Sequence, residues 1–217
     1  MTSHDAPRST SATGSSLAAP ENGIALGERA VRTREAIIDA SRRLFLERGY
    51  AGTRINNITD ACGISRAGFY TYFRDKREVF NTIGEETYKE IVAVVSLWSD
   101  MPSPASLGDV TSWVRQYFSF MDQHGAFIFS STQSAPTDDE FRRNSQRTQM
   151  RVAWLLGTNL VARQQRRYEA PEALGLTMMA MLDQSYFYSR VWRLPVDDDD
   201  MIRTLGEQIH DSLANGR

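Results

Sequence analysis

From Val31 onward, apolar positions recur at three- and four-residue steps, the spacing that places one apolar stripe on an α-helix. Ala36, Ile37, Ala40, Leu44 and Phe45 form the first stripe, flanked by Arg32, Arg34, Arg42 and Arg43. Gly49 predicts a left-handed stop, after which Tyr50 folds back on the core. Ile55, Ile58, Ala61 and Cys62 predict a second, shorter helix, with Thr53 as its cap. Gly63 breaks it. Ser65 then caps a third helix carrying Phe69, Tyr70, Tyr72 and Phe73. Asp75 opens a fourth, which continues through Val79, Phe80, Ile83, Tyr88, Ile91, Val95 and Trp98.

Met101-Pro102-Ser103-Pro104 interrupts this run. An aromatic helix is expected from about Ser106 to Gln123, with a short helix and loop over residues 124–136 that includes His124. Thr137 and Glu140 have capping-box spacing, and a long helix is expected from there to about Tyr168. Pro171 suits the first turn of a helix reaching about Trp192. Asp197 to Asp200 open the last helix, where the macrodipole favours carboxylates; a cap is the preferred reading of this run over a cation site. No segment reads as strand and there is no internal repeat. The expected fold is all-α: an arm over residues 1–27, a helix-turn-helix domain over 28–76 and a larger helical domain over 77–217.

Composition changes this picture only at the margins. The 217 residues are 41% hydrophobic and 24% charged, enough for a buried core and too apolar for a wholly disordered chain. Residues 1–27, rich in Ser, Thr, Ala, Pro and Gly, read as a disordered arm. No uncharged apolar run is long enough to span a bilayer, and no secretory leader opens the sequence. A single cysteine, Cys62, forms no internal disulfide; the expected compartment is the reducing cytoplasm, with no membrane partner.

Charge distribution is more informative. The net charge is −2, yet Arg29 to Arg77 holds 11 basic and 5 acidic residues, a local +6 that leaves −8 for the rest. Such a segment suits a polyanion. Its helix–Gly63–helix arrangement is that of a helix-turn-helix, whose second helix enters the major groove of DNA. Gly63 supplies the positive φ of the turn, Ile64 plugs the gap, and Ser65 leaves backbone amides pointing outward.

Ile58-Thr-Asp-Ala-Cys-Gly-Ile-Ser-Arg-Ala-Gly-Phe-Tyr-Thr-Tyr-Phe73, followed by Arg-Asp-Lys76, resembles the DNA-binding signature of TetR-family transcriptional regulators. Ala40 to Thr53, with Phe45, Gly49-Tyr50 and Thr53, also matches, so the resemblance covers about residues 30–80. Thr59 and Cys62 stand where the family usually has Ala, and Phe69 replaces a common Leu. The resemblance implies that Thr53, at the entry to the second helix, faces DNA, and that Arg54, Tyr70, Tyr72 and Lys76 contact phosphates. It places Ser65, Arg66, Ala67 and Gly68 on the groove-facing turn. Arg66 suits guanine O6 and N7, or a phosphate alone; Gly68 suits close approach to DNA, or simple tolerance in a short helix. Phe69, Phe73 and Cys62 are assigned to the core.

The remaining two-thirds of the chain is rich in Met and aromatic residues. Singly these are core; as a set they suit the ligand cavity that the resemblance implies. Its expected wall is Trp113, Tyr117, Phe120, Met150, Trp154 and Met178, with Asn159, Gln184 and Tyr186 as orienting polar groups. The last two helices are expected to form a homodimer, their face including Leu174, Ala180, Met181, Tyr188, Ile202, Leu205, Ile209 and Leu213. Such a dimer would bind double-stranded DNA at a near-palindrome and be released by a hydrophobic small-molecule effector. The alternative is a DNA-binding regulator whose second domain takes a protein partner. His4, His124 and His210 are scattered, no His/Cys cluster has metal spacing and no phosphate loop follows a strand, so neither enzyme nor cofactor is expected.

Overall fold

The computed structural model describes residues 21–134, 139–164 and 169–214, all helices and their connections. In chain order these are α1 (Glu21–Gly52), α2 (Ile55–Cys62), α3 (Arg66–Tyr72), α4 (Lys76–Asp100), α5 (Leu107–Ser134), α6 (Asp139–Val161), α7 (Pro171–Tyr186), a π-helical turn (Phe187–Val191) and α8 (Asp198–Ala214). No strand occurs among the described residues. Two units separate, Met1–Glu35 and Ala36–Arg217. In the first, α1 starts ten residues before Val31, so residues 21–27, expected in the arm, are helical. Residues 1–20 lie outside the described part.

The second unit holds two apolar clusters. One gathers Ile37, Phe45, Ile58, Phe69, Phe73 and Phe80 from α1 to α4, joined by Phe127 of α5. Gly49 has φ 67° and ends the straight part of α1, as its position predicts. Tyr50 then turns inward, its ring 5.6 Å from Phe45 and 4.8 Å from Phe80. The other cluster packs α4 to α8 around Trp98, Trp113, Phe118, Leu156 and Leu182.

Helices α6 and α7 touch through backbone. A Cβ on Gly157 would stand 1.7 Å from the Pro171 carbonyl oxygen, and one on Gly175 1.8 Å from that of Ala153. Only glycine permits this approach. Arg163, just beyond α6, donates to the carbonyls of Trp98, Met101 and Pro102 at the end of α4, where a cation complements the helix dipole.

Several expected boundaries move. The stop expected at Gln123 is absent: α5 continues to Ser134, because Gly125, Phe127 and Ser130 are buried along it. His124, expected in a loop, is therefore a buried helical residue. Helix α6 ends at Val161 rather than near Tyr168, and the Thr137 cap lies outside the described residues. Pro171 opens α7 as expected. Of the acidic run, Asp197 accepts from the Asp200 N–H and Asp198 from the Arg190 guanidinium; that pairing holds the Asp198 carboxyl below its usual range. The run is thus a cap and ion-pair site, the preferred reading. Of the expected dimer face, Ile202, Leu205 and Ile209 are instead buried in their own chain, because α8 packs on α5. Tyr188 is exposed, and so are Val191, Trp192, Leu194 and Val196.

Gly175→Ala is expected to force α6 and α7 apart and destabilise the fold by about 2 kcal/mol or more, the cost of overpacking against rigid backbone. A lowered midpoint in urea denaturation would show it; an unchanged midpoint would mean the helices separate freely.

Candidate functional site

The helix-turn-helix is built by local hydrogen bonding. Arg54, not Thr53, stands at the head of α2, its N–H donating to Asn57 Oδ1 at 2.9 Å. Gly63 ends α2 at φ 66° and ψ 31°, and the Ile64 N–H closes on the Thr59 carbonyl at 3.1 Å. Ser65 Oγ accepts from the Gly68 N–H at 3.0 Å and caps α3. Phe69 and Phe73 anchor the inner face of α3, both buried as assigned. That anchoring turns Arg66, Ala67 and Tyr70 outward, all exposed, with Gly68 half-buried between them. A Cβ on Gly68 would stand 3.3 Å from Ser65 Oγ, so close packing on the cap adds a reason for glycine here.

Arg66 is pre-positioned. Its guanidinium donates to Asn56 Oδ1 at 3.2 Å and to the Tyr70 hydroxyl at 3.1 Å. This ties the exposed face of α2 to that of α3. Asn56, ten residues before Arg66, was not among the expected site residues; its polar position between Ile55 and Ile58 was the available signal.

Two expected DNA-facing residues point inward. Thr53 is buried, and its hydroxyl donates toward the carbonyls of Gly49 at 2.8 Å and Leu44 at 3.0 Å, so it neither caps α2 nor reaches outward. Lys76 donates to the carbonyls of Tyr50 and Thr53 and lies 4.1 Å from the Tyr50 ring centroid; partial burial lowers its pKa. It straps the α1–α2 turn to the head of α4. Tyr72 is half-buried against the same cluster, and Arg54 is exposed. Cys62 donates to the Ala36 carbonyl at 3.3 Å, and burial raises its thiol pKa, the opposite of an activated thiolate.

A cavity of about 390 Å³ lies between α4, α5, α6 and α7. Phe80, Tyr88, Tyr117, Phe120 and Phe127 give it aromatic walls. Asn144, Ser145, Thr148 and Gln149 give it a polar wall along α6. Asp183 of α7 supplies a carboxylate, which accepts from the Tyr117 hydroxyl at 2.6 Å. Desolvation raises the Asp183 pKa to about 6, and the Tyr117 bond only partly opposes it. Burial and the Asp183 charge push Tyr117 far above its usual range.

Of the nine residues expected to face a ligand, Tyr117 and Phe120 line this cavity. Trp113 sits behind Tyr117, ring centroids 5.7 Å apart, and donates to the Val94 carbonyl. Met178 and Tyr186 are buried in the larger cluster, with the Tyr186 hydroxyl on Asp122. Asn159 holds Ser99 and the Val95 carbonyl. Gln184 is exposed, as are Met150 at 43% and Trp154 at 53%. The buried face of α6 explains the last two: Val152, Ala153, Leu156 and Leu160 turn in, so Met150 and Trp154 turn out, while Thr148 and Gln149 border the cavity and stay exposed.

The cavity and the helix-turn-helix core share a contact. Phe127 of α5 packs on Phe80 of α4 at 4.7 Å between centroids. Both belong to the helix-turn-helix core cluster and both line the cavity. Beside them, His124 stacks on Phe120, with Nδ1 2.9 Å from Thr87 Oγ1 and Nε2 2.9 Å from Glu90 Oε2. Among the described residues no group of three or more His, Cys, Asp or Glu is arranged to hold a metal ion, and no helix is long and apolar enough to cross a membrane.

The raised Asp183 carboxyl has a pH signature. Its ordinary pKa is 3.8 and its folded value about 6, so the stability it contributes is full below about pH 4 and lost as pH rises through 6. Asp183→Asn stays neutral and still accepts from Tyr117. It should be more stable than wild type above pH 7, by at most about 3 kcal/mol, and the gain should shrink toward pH 5. Urea denaturation at several pH values checks this; a gain independent of pH would contradict it.

Residues 37–83 match the family model described as bacterial regulatory proteins, tetR family. Residues over 34% of the chain are 32% identical to the HTH-type transcriptional repressor AcnR of Corynebacterium efficiens, covering 39% of that protein. The match therefore spans well under half of that relative. Across 82% of the chain the fold is similar to PfmR, a TetR family transcriptional regulator from Thermus thermophilus, at TM-score 0.65 and 20% identity over 98% of that chain. It is also similar to a putative fatty acid metabolism regulator from Clostridium perfringens, at TM-score 0.64 and 16% identity over 82% of this chain and 97% of the other. At these identities the structural likeness establishes the fold alone.

Proposed function

Because residues 37–83 match the TetR-family model and the neighbouring stretch resembles a curated repressor of that kind, we propose that the chain is a ligand-responsive repressor of the TetR family. As a homodimer it binds a near-palindromic operator through α3, and a small molecule with a large apolar or aromatic body releases it. Its compartment is the cytoplasm, where operator DNA lies. The observation that carries this reading is the shared Phe80–Phe127 contact. A ligand filling the cavity presses on side chains that also form the core behind the recognition helix. A ligand preferring the state with misplaced recognition helices weakens operator binding; a coupling of about 1–3 kcal/mol gives roughly 5–150-fold.

On DNA, the exposed end of α3 presents Arg66 beside Ser65, Ala67 and Tyr70. Asn56 and Tyr70 hold the guanidinium in place, which lowers the entropy lost on reading a guanine edge. Tyr70 and Arg54 supply phosphate contacts. Thr53, Tyr72 and Lys76 support the fold of this face. Exposed Tyr188, Val191, Trp192, Leu194 and Val196 after α7 offer apolar surface for the second protomer. The cavity favours a small molecule over a protein partner as the signal.

Titrating the protein against its upstream intergenic DNA at two salt concentrations, with and without an apolar compound panel, tests the reading. Tight, salt-sensitive binding to a near-palindrome that one compound weakens is expected. Binding that no compound alters would shift the function to partner control. Arg66→Ala is expected to lose about 1–3 kcal/mol of operator affinity and to relax discrimination at one base position. An equal loss on all sequences would make Arg66 a phosphate contact.

A further inference from the structure

Asp183 is a carboxylate that the fold itself does not neutralise. It lies on α7 in the cavity wall, and among the described residues its side chain has one hydrogen bond, from the Tyr117 hydroxyl to Oδ1. No arginine, lysine or histidine pairs with it among those residues. Burying a carboxylate without a cation is costly, and its desolvation shows in a raised pKa. The rings of Tyr88, Phe120 and Phe127 line the same space, and aromatic rings attract cations. The α6 wall adds oxygen acceptors from Ser145, Thr148 and Gln149. Among the described residues three charged side chains line the cavity, Arg77, Glu85 and Asp183, two of them acidic.

We propose that Asp183 is the ammonium-binding group of the cavity, and that the effector is an amphiphilic cation, an apolar body bearing a protonated amine. The ammonium N–H groups donate to Asp183 Oδ2, which the Tyr117 bond to Oδ1 leaves open, and to acceptors on α6. The apolar body lies against the aromatic wall, toward Phe80 and Phe127. This inference rests on the cavity being an effector site, and it names the chemistry of that effector.

Calorimetric titration of the full chain at neutral pH, with decylammonium, 1-decanol and decanoate below their micellar concentrations, separates the two claims. The chain is the same in each probe and only the head group changes. Decylammonium is expected to bind about tenfold or more tighter than decanol, since charged hydrogen bonds exceed neutral ones by that order. Asp183→Asn is expected to remove most of that preference and leave decanol affinity unchanged, which also shows that the variant's cavity is intact. Decanol or decanoate binding as tightly as decylammonium would overturn the proposed charge preference while keeping the cavity as a ligand site. Failure of all three to bind would overturn the effector site itself and this inference with it.

Discussion

The packing of Phe127 on Phe80 is the contact on which the functional account depends. Phe127 comes from the second half of α5, far along the chain from the helix-turn-helix, yet it completes that domain's core. A Cβ on Gly84, one turn after Phe80 on α4, would stand 3.2 Å from the Phe127 ring. The ring is thus seated against α4 with little slack. Because it also lines the cavity, in the proposed function a bound ligand would press on α4 through this seat. Dense packing leaves few soft directions, so the helices respond by moving as units.

The rest of the structure holds that seat in place. Glycine contacts at Gly157 and Gly175 fix α6 to α7 at backbone distance. Arg163 ties the end of α6 to the end of α4, and Arg190 ties Asp122 of α5 to Asp198 of α8. Lys76 and Tyr50 bind the head of α4 to the α1–α2 turn. Any displacement of α4 is therefore transmitted at its N-terminal end, where α3 is attached.

The helix-turn-helix was legible in the sequence because local chemistry defines it. Gly63, Ser65 and Asp75 stop and start helices through bonds within a few residues, and each occupies its expected place. The Thr53 bond to Leu44 and the Lys76 bonds to the Tyr50 and Thr53 carbonyls were not legible, because tertiary folding sets them. The cavity was less legible still. Apolar residues were expected to line it, but α6 borders it with exposed Asn144, Thr148 and Gln149, and Met150 and Trp154 face outward. No periodicity distinguishes a polar cavity wall from a solvated face. Asp183 and Phe127 carried no sequence signal beyond a polar and an apolar position on a helix.

The most direct test of the coupling is operator affinity with and without a saturating effector, for wild type and for Phe127→Ala. The account predicts that the variant still binds operator and still binds effector, while the effector's weakening of operator binding falls to near unity. A variant that keeps both affinities and the full effector-induced release would show that the signal reaches α3 by another path.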